Sequence, residues 1–231
     1  MPVPDPSSPA DPSDWDQVGV PPGSLWARMK ADPQYAPEHL ALEAVRQLGP
    51  EAQRWAERTR DERPRITADR LAELAVRRFV NLARLSDAVS GATGLPGAII
   101  DVGVLAWTQS RMALHIAAAH GLDPTSQDRA TDLLVLQRVH RAAETARLAL
   151  GVAAGRERAS RLFAPAGGQP PSGVILKLGG KLAQMAGVGA AQRVFAKMVP
   201  GAGVVLGSWV NAAATKGLAR RARTLYRASG S

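Results

Sequence analysis

Cysteine is absent from the 231 residues. That removes any disulfide framework, thiol nucleophile or thiolate metal site, and it suits a reducing compartment. Aromatic residues are scarce, at 4% against 45% for all hydrophobic types, so the core has to be built from Ala, Val, Leu and Ile. Small side chains favour close helix–helix approach over a sheet, where β-branched and aromatic residues are preferred. No run alternates with period two for long enough to make a strand, and the one short candidate, Val174–Leu176, reads as helix. The expected fold class is therefore all-α, a single helical bundle domain. A secretory leader is missing from the pattern too. Met1 to Asp16 is proline-rich and carries Asp5, Asp11, Asp14 and Asp16 in place of a basic region and an apolar run. Export by that route is not expected, and the expected location is cytoplasmic.

What is abundant is positive charge. The net charge is +9, and removing the four aspartates of the first 16 residues leaves +13 on the rest. A basic body suits anionic partners such as nucleic acid or an acidic membrane surface. Arginine and alanine enrichment also accompanies GC-rich coding, so charge alone decides nothing.

Prolines 2, 4, 6, 9, 12, 21 and 22 lie among Ser, Asp and Gly, and residues 1–23 read as a disordered tail. The remainder, 24–231, is expected to form the domain. A short helix is expected around Leu25, Trp26 and Met29, over 24–32. A stronger pattern runs from Glu38 to Arg60, and Gly49-Pro50 is expected to divide it into two helices. Thr67 to Ser90 is amphipathic, with Leu71, Leu74, Ala75, Phe79 and Leu82 on one face and Arg70, Glu73, Arg77 and Arg78 on the other. Gly91, Gly94, Pro96 and Gly97 then turn into an unusually apolar segment that ends at Gly121. Asp123-Pro124 has the form of an N-cap followed by a first-turn proline. It predicts one helix over 124–150, with Leu133, Leu134, Leu136, Val139, Ala143 and Leu148 facing inward. Residues 164–173 read as a flexible Pro/Gly linker. Helices are expected at 174–187 and 189–198, and a last long one from Pro200 to Arg227.

Two segments echo each other at an offset of 104 residues: Leu95-Pro96-Gly97-Ala98 followed by Gly103, and Val199-Pro200-Gly201-Ala202 followed by Gly207. Proline in a first turn loses nothing by lacking its N–H, and Gly and Ala let a neighbouring helix come close. Pro96, Gly97, Gly103, Pro200, Gly201, Gly203 and Gly207 are thus a packing motif of two pseudo-equivalent apolar helices. These segments also carry a family resemblance. Gly94-Leu95-Pro96-Gly97 leading to Asp101 and an apolar helix ending at Ala117 to Gly121 resembles the central signature of the EcsC family. Val199 to Gly203, with Gly207, Asn211 and Ala222, is similar to that family's closing helix. The resemblance covers roughly 38–227; it implies a helical domain and transfers no catalytic residue.

Asp101 is the oddest residue, a carboxylate inside the otherwise uncharged Ala98 to Ala106. At about 100° per residue, Asp101, Thr108, Arg111 and His115 fall within about 80° of one another. This polar stripe on an apolar helix is either a head-group or proton-handling site, or an interaction that fixes helix register. No metal is expected: His115 and His120 are five apart, and no H-E-x-x-H occurs. His140 and Glu144 read as a solvated i,i+4 pair. No cofactor is expected either. Gly201-x-Gly203-x-x-x-Gly207 follows helix instead of strand, and Arg220 to Arg223 stand where a dinucleotide site needs an acid.

Residues 198–215 carry no charge, about the length of a spanning helix. Pro200, its glycines, Ser208 and Asn211 favour a buried core helix instead. Lys216, Arg220, Arg221, Arg223 and Arg227 then form a basic end suited to an anionic leaflet, or to the helix C-terminus itself. No reader motif or aromatic stacking platform argues for nucleic acid. Three functions stay open. The first is a non-enzymatic peripheral membrane-associated module that binds lipid, an apolar ligand or a membrane protein. The second is an enzyme, such as a hydrolase, working from the stripe. The third is a soluble adaptor recruiting through its tail.

Overall fold

A computed structural model describes residues 21–85, 94–162, 178, 180–182, 184–185 and 203–230, with side-chain surroundings for 21–80, 102–158 and 213–230 and for that short middle stretch. The order is α1 (Gly23–Ala31), a 3-10 turn (Pro33–Tyr35), α2 (Ala36–Glu62), α3 (Ala68–Leu85), α4 (Gly94–Ala119), α5 (Asp128–Leu136), α6 (Ala143–Leu162) and α7 (Gly203–Ser229). Among the described residues there is no strand, and the all-α bundle is the fold. The tail at 1–20, the linker at 164–173, the expected helix at 189–198 and the positions Pro200 and Gly201 lie outside the described residues.

α4 is the central element. From Val102 to Ala119 nearly every side chain is buried, including Trp107, Met112, Leu114 and Ile116. α2, α3 and α7 pack around it, with α5 at one side. An apolar run with no wet face can be stable only inside such a ring. Among the described residues no helix is long and apolar enough to cross a membrane. One hydrophobic core runs from Leu25 through Leu178, Leu182 and Met185 to Tyr226. The two glycine-rich helices α4 and α7 do pack on each other. α4 is described from Gly94 and α7 from Gly203.

Two expected boundaries are corrected. Gly49-Pro50 does not divide α2, which runs unbroken with Pro50 inside. Proline removes the bond to the carbonyl four residues back and costs about 3 kcal/mol in a helix interior. Here Leu40, Ala41, Ala44 and Leu48 before it and Ala52 and Ala56 after it are all buried in the same core, and that burial holds one axis. Gly49 is a close-approach position: a Cβ there would stand 2.6 Å from the Pro124 carbonyl oxygen.

The expected helix 124–150 is two helices. Asp123 accepts hydrogen bonds from the Thr125 amide (2.8 Å) and hydroxyl (2.6 Å), closing a turn instead of capping a helix. α5 starts only at Asp128. It ends where Arg138 takes φ +60°, with the Val139 amide donating to Leu134 O at 2.9 Å and the Arg138 amide to Val135 O at 3.0 Å. That is the left-handed helix stop normally built on glycine. α4 ends in the same geometry on Gly121 at φ +80°, with Leu122 donating to Ala117 O and Gly121 to Ala118 O, both at 3.1 Å. The break resets the helical phase. Ala146, Leu150 and Ala153 face inward on α6, and Leu148, expected inside, is 73% exposed.

Ion pairs bind the outer helices to α2. Arg28 of α1 reaches the buried Glu43 of α2 and, at 3.1 Å, Glu157 of α6. Asp32 takes His39 at 3.2 Å and Arg156 at 2.9 Å. His140 pairs with Glu38 across 2.7 Å, not with Glu144 as the i,i+4 spacing suggested.

Candidate functional site

The stripe on α4 meets protein on every side that is described. The Thr108 hydroxyl donates to Val104 O of its own helix at 2.9 Å. Arg111, 4% exposed, meets Glu51 of α2 through two nitrogens, Nε to Oε2 at 3.0 Å and Nη2 to Oε1 at 2.5 Å. This forked arrangement is the strongest geometry for a guanidinium and a carboxylate. The side chain of Asp101 lies outside the described residues, so Glu51 is the acid that the structure places on the stripe.

His115 sits one turn further along. Its Nδ1 lies 2.8 Å from the Arg111 carbonyl. A carbonyl only accepts, so Nδ1 carries the proton and Nε2 presents a lone pair. That nitrogen is 3.7 Å from Glu51 Oε1 and has no hydrogen-bond partner among the described residues. The rings of Trp55 and Phe79 flank the imidazole at 5.0 and 4.9 Å, and the Arg111 guanidinium lies 5.7 Å above Phe79. Burial pushes the imidazole pKa down to about 3, assisted by the Arg111 and Arg78 charges and opposed by the bond to the Arg111 carbonyl. His115 is therefore neutral at physiological pH. Among the described residues no group of three or more His, Asp or Glu could hold a metal ion.

The glycine of the stripe's helix has an unforeseen neighbour. A Cβ on Gly103 would overlap the ring of Trp26, so what approaches most closely there is α1. Gly203 and Gly207 lie within α7.

The basic end divides by helical phase. Lys216, Arg220, Arg223 and Arg227 fall within about 60° of one another along about 16 Å of α7. Lys216 and Arg220 are exposed, and no ion pair among the described residues engages either. Arg223 and Arg227 flank Asp69 of α3 while keeping 35% and 59% exposure. Hydrogen bonding to Arg227, with the Arg223 charge nearby, holds the Asp69 carboxyl below its usual range. Arg221 points elsewhere and donates from Nε to Leu136 O at 3.0 Å, capping the end of α5. Arg60 does the same for α4, with bonds to Ala118 O (2.7 Å) and Ala119 O (3.1 Å).

A third feature was not among the sequence candidates. Between the turn after α2 and the exposed face of α3 lies an open groove of about 550 Å³, lined by Arg63, Pro64, Arg65, Ile66, Arg70, Glu73, Leu74 and Arg77. Its signal in the sequence was the arginine density of 63–77, which reads as an ordinary solvated face until the turn folds back over the helix.

The family model described as EcsC protein family matches residues 50–228. The match starts at Pro50, inside α2, and runs to Ala228 in the last turn of α7. No curated protein matches the chain, and no solved structure does.

Proposed function

Proceeding from the chain's membership of the EcsC protein family, we propose that it is a non-enzymatic module that associates peripherally with an anionic membrane surface, at the cytoplasmic leaflet. The row of four cations on one face of α7 carries this reading. A row about 16 Å long can meet a charged plane without distorting the bundle. Each Lys or Arg held near an anionic surface contributes about 1 kcal/mol. The alternative of an enzyme working from the α4 stripe has weaker support, since Thr108, Arg111 and His115 all face protein and none lines the groove at 63–77.

Flotation of the purified chain with vesicles is the test. Co-flotation is expected with anionic vesicles at low salt, little of it at high salt, and none with neutral vesicles. Lys216→Gln/Arg220→Gln removes two exposed charges that hold no ion pair among the described residues, and should weaken association about 30-fold, from about 1 kcal/mol per charge. Absence of flotation at low salt, or equal flotation with neutral vesicles, would remove the reading.

A further inference from the structure

The groove between the 63–66 turn and α3 combines two chemistries. Arg63, Arg65, Arg70 and Arg77 rim it, and Pro64, Ile66 and Leu74 supply its apolar surface. Glu73 is the one acid among the described lining residues, and it is already engaged by Arg70 at 2.7 Å and Arg77 at 2.6 Å. The lining therefore carries a net charge of +3, from four arginines and one carboxylate. Arg63 and Arg65 are exposed and hold no ion pair among the described residues.

These features select the occupant. A hydrated inorganic anion would use the arginines and gain nothing from Ile66 and Leu74. A neutral apolar ligand would desolvate the guanidinium groups without replacing their hydrogen bonds. Among the described residues no aromatic ring lines the groove, so a nucleic-acid base finds no stacking platform there. A molecule with an anionic head and an apolar tail uses both surfaces, since guanidinium forks match phosphate geometry. About 550 Å³ lies within the range of small-molecule sites, about 300–1,000 Å³. The position fits as well. Arg70 follows Asp69, the residue that the last cation of the α7 row engages, so the groove's lining begins in the same first turn of α3 that the end of the row contacts.

We propose that this groove seats a single anionic phospholipid, its phosphate held at Arg63 and Arg65 and its first acyl carbons lying along Pro64, Ile66 and Leu74. The proposal rests on the membrane-surface reading and adds to it a discrete lipid site. Arg70 and Arg77, held by Glu73, form the far wall.

Calorimetric titration of the full chain with dihexanoyl phosphatidic acid, kept below its micelle concentration, tests the site without a membrane. One lipid per chain is expected. Arg63→Gln/Arg65→Gln should weaken binding at least tenfold. The charge-matched Lys30→Gln/Arg147→Gln, exposed on α1 and α6, should change it less than twofold. Glycerol phosphate, the head without a tail, should bind at least tenfold more weakly, and dihexanoyl phosphatidylcholine should not bind measurably. Thermal melts of both variants, at the wild-type midpoint, exclude misfolding. Absence of stoichiometric binding, equal loss in the two variants, or glycerol phosphate binding as well as the lipid would overturn the proposal. A chain that floats with anionic vesicles but fails this titration keeps the membrane reading and loses the lipid seat. A chain that binds the lipid but never floats does the reverse.

Discussion

Removing either partner of the Glu51–Arg111 pair strands a charge where water hardly reaches, for Arg111 is 4% and Glu51 12% exposed. Arg111→Met is expected to cost about 3–5 kcal/mol. Glu51→Leu/Arg111→Met, which removes both charges, should cost clearly less. Urea denaturation of the two variants decides it, and a double variant as unstable as the single would show that packing, not charge, dominates. His115 gives a second test at this scale. Burial holds its pKa in the fold at about 3, against an ordinary imidazole value of 6.5. The unfolded chain takes up the proton first, so this contribution to stability is fully present above about pH 6.5 and declines as pH falls towards 3, at up to about 1.4 kcal/mol per pH unit. Glu51 is already engaged by Arg111, and the Arg111 and Arg78 charges also oppose protonation. His115→Phe keeps a ring between Trp55 and Phe79, and its stability profile between pH 6.5 and 4 should be flatter than that of the wild type. A profile equally steep would assign the acid sensitivity to the carboxylates.

At the scale of elements, two helices end in one geometry on different residues. Gly121 adopts its left-handed φ without strain, whereas Arg138 carries a Cβ there, at about 1–2 kcal/mol. Arg138→Gly should therefore stabilise the protein, by about 0.5–1 kcal/mol. Gly121→Ala should destabilise it by about 1 kcal/mol, although nothing among the described residues within 4 Å would meet the new methyl. Thermal melts of the pair test this, and equal effects of the same sign would contradict it. The contrast also explains what could be read in advance. The stop at Gly121 is written in the sequence because only glycine signals a left-handed residue. An arginine at the same kind of stop leaves no local mark, so 124–150 reads as one helix. Pro50 errs the other way: its local signal is strong, and burial on both sides overrides it.

Over the whole molecule, positive charge is sorted by what each arginine faces. Some cations hold the bundle together, as Arg28, Arg60, Arg111 and Arg221 do, while the α7 row and the groove rim remain on the surface. Exposed ion pairs contribute little to stability, about 0–1 kcal/mol. Arg223→Gln/Arg227→Gln, which releases the exposed Asp69, should thus leave the melting midpoint within a few degrees while weakening flotation with anionic vesicles. A large fall in the midpoint would give these arginines a structural role and subtract them from the proposed membrane face.

By itself the sequence determined the helical class, the buried apolar helix, its glycine stop and the family, because helical periodicity, scarce aromatics and glycine at turns are local chemistry. It also placed Thr108, Arg111 and His115 on one face of α4, since 3.6 residues per turn suffices for that. It gave no sign that Arg111 would find Glu51, sixty residues away, or that Trp26 would close on Gly103. Nor did it show that Arg221 would leave the α7 row to cap α5. Those pairings depend on which helix faces join across the core, and only the tertiary fold, which brings distant residues within bonding distance, decides them.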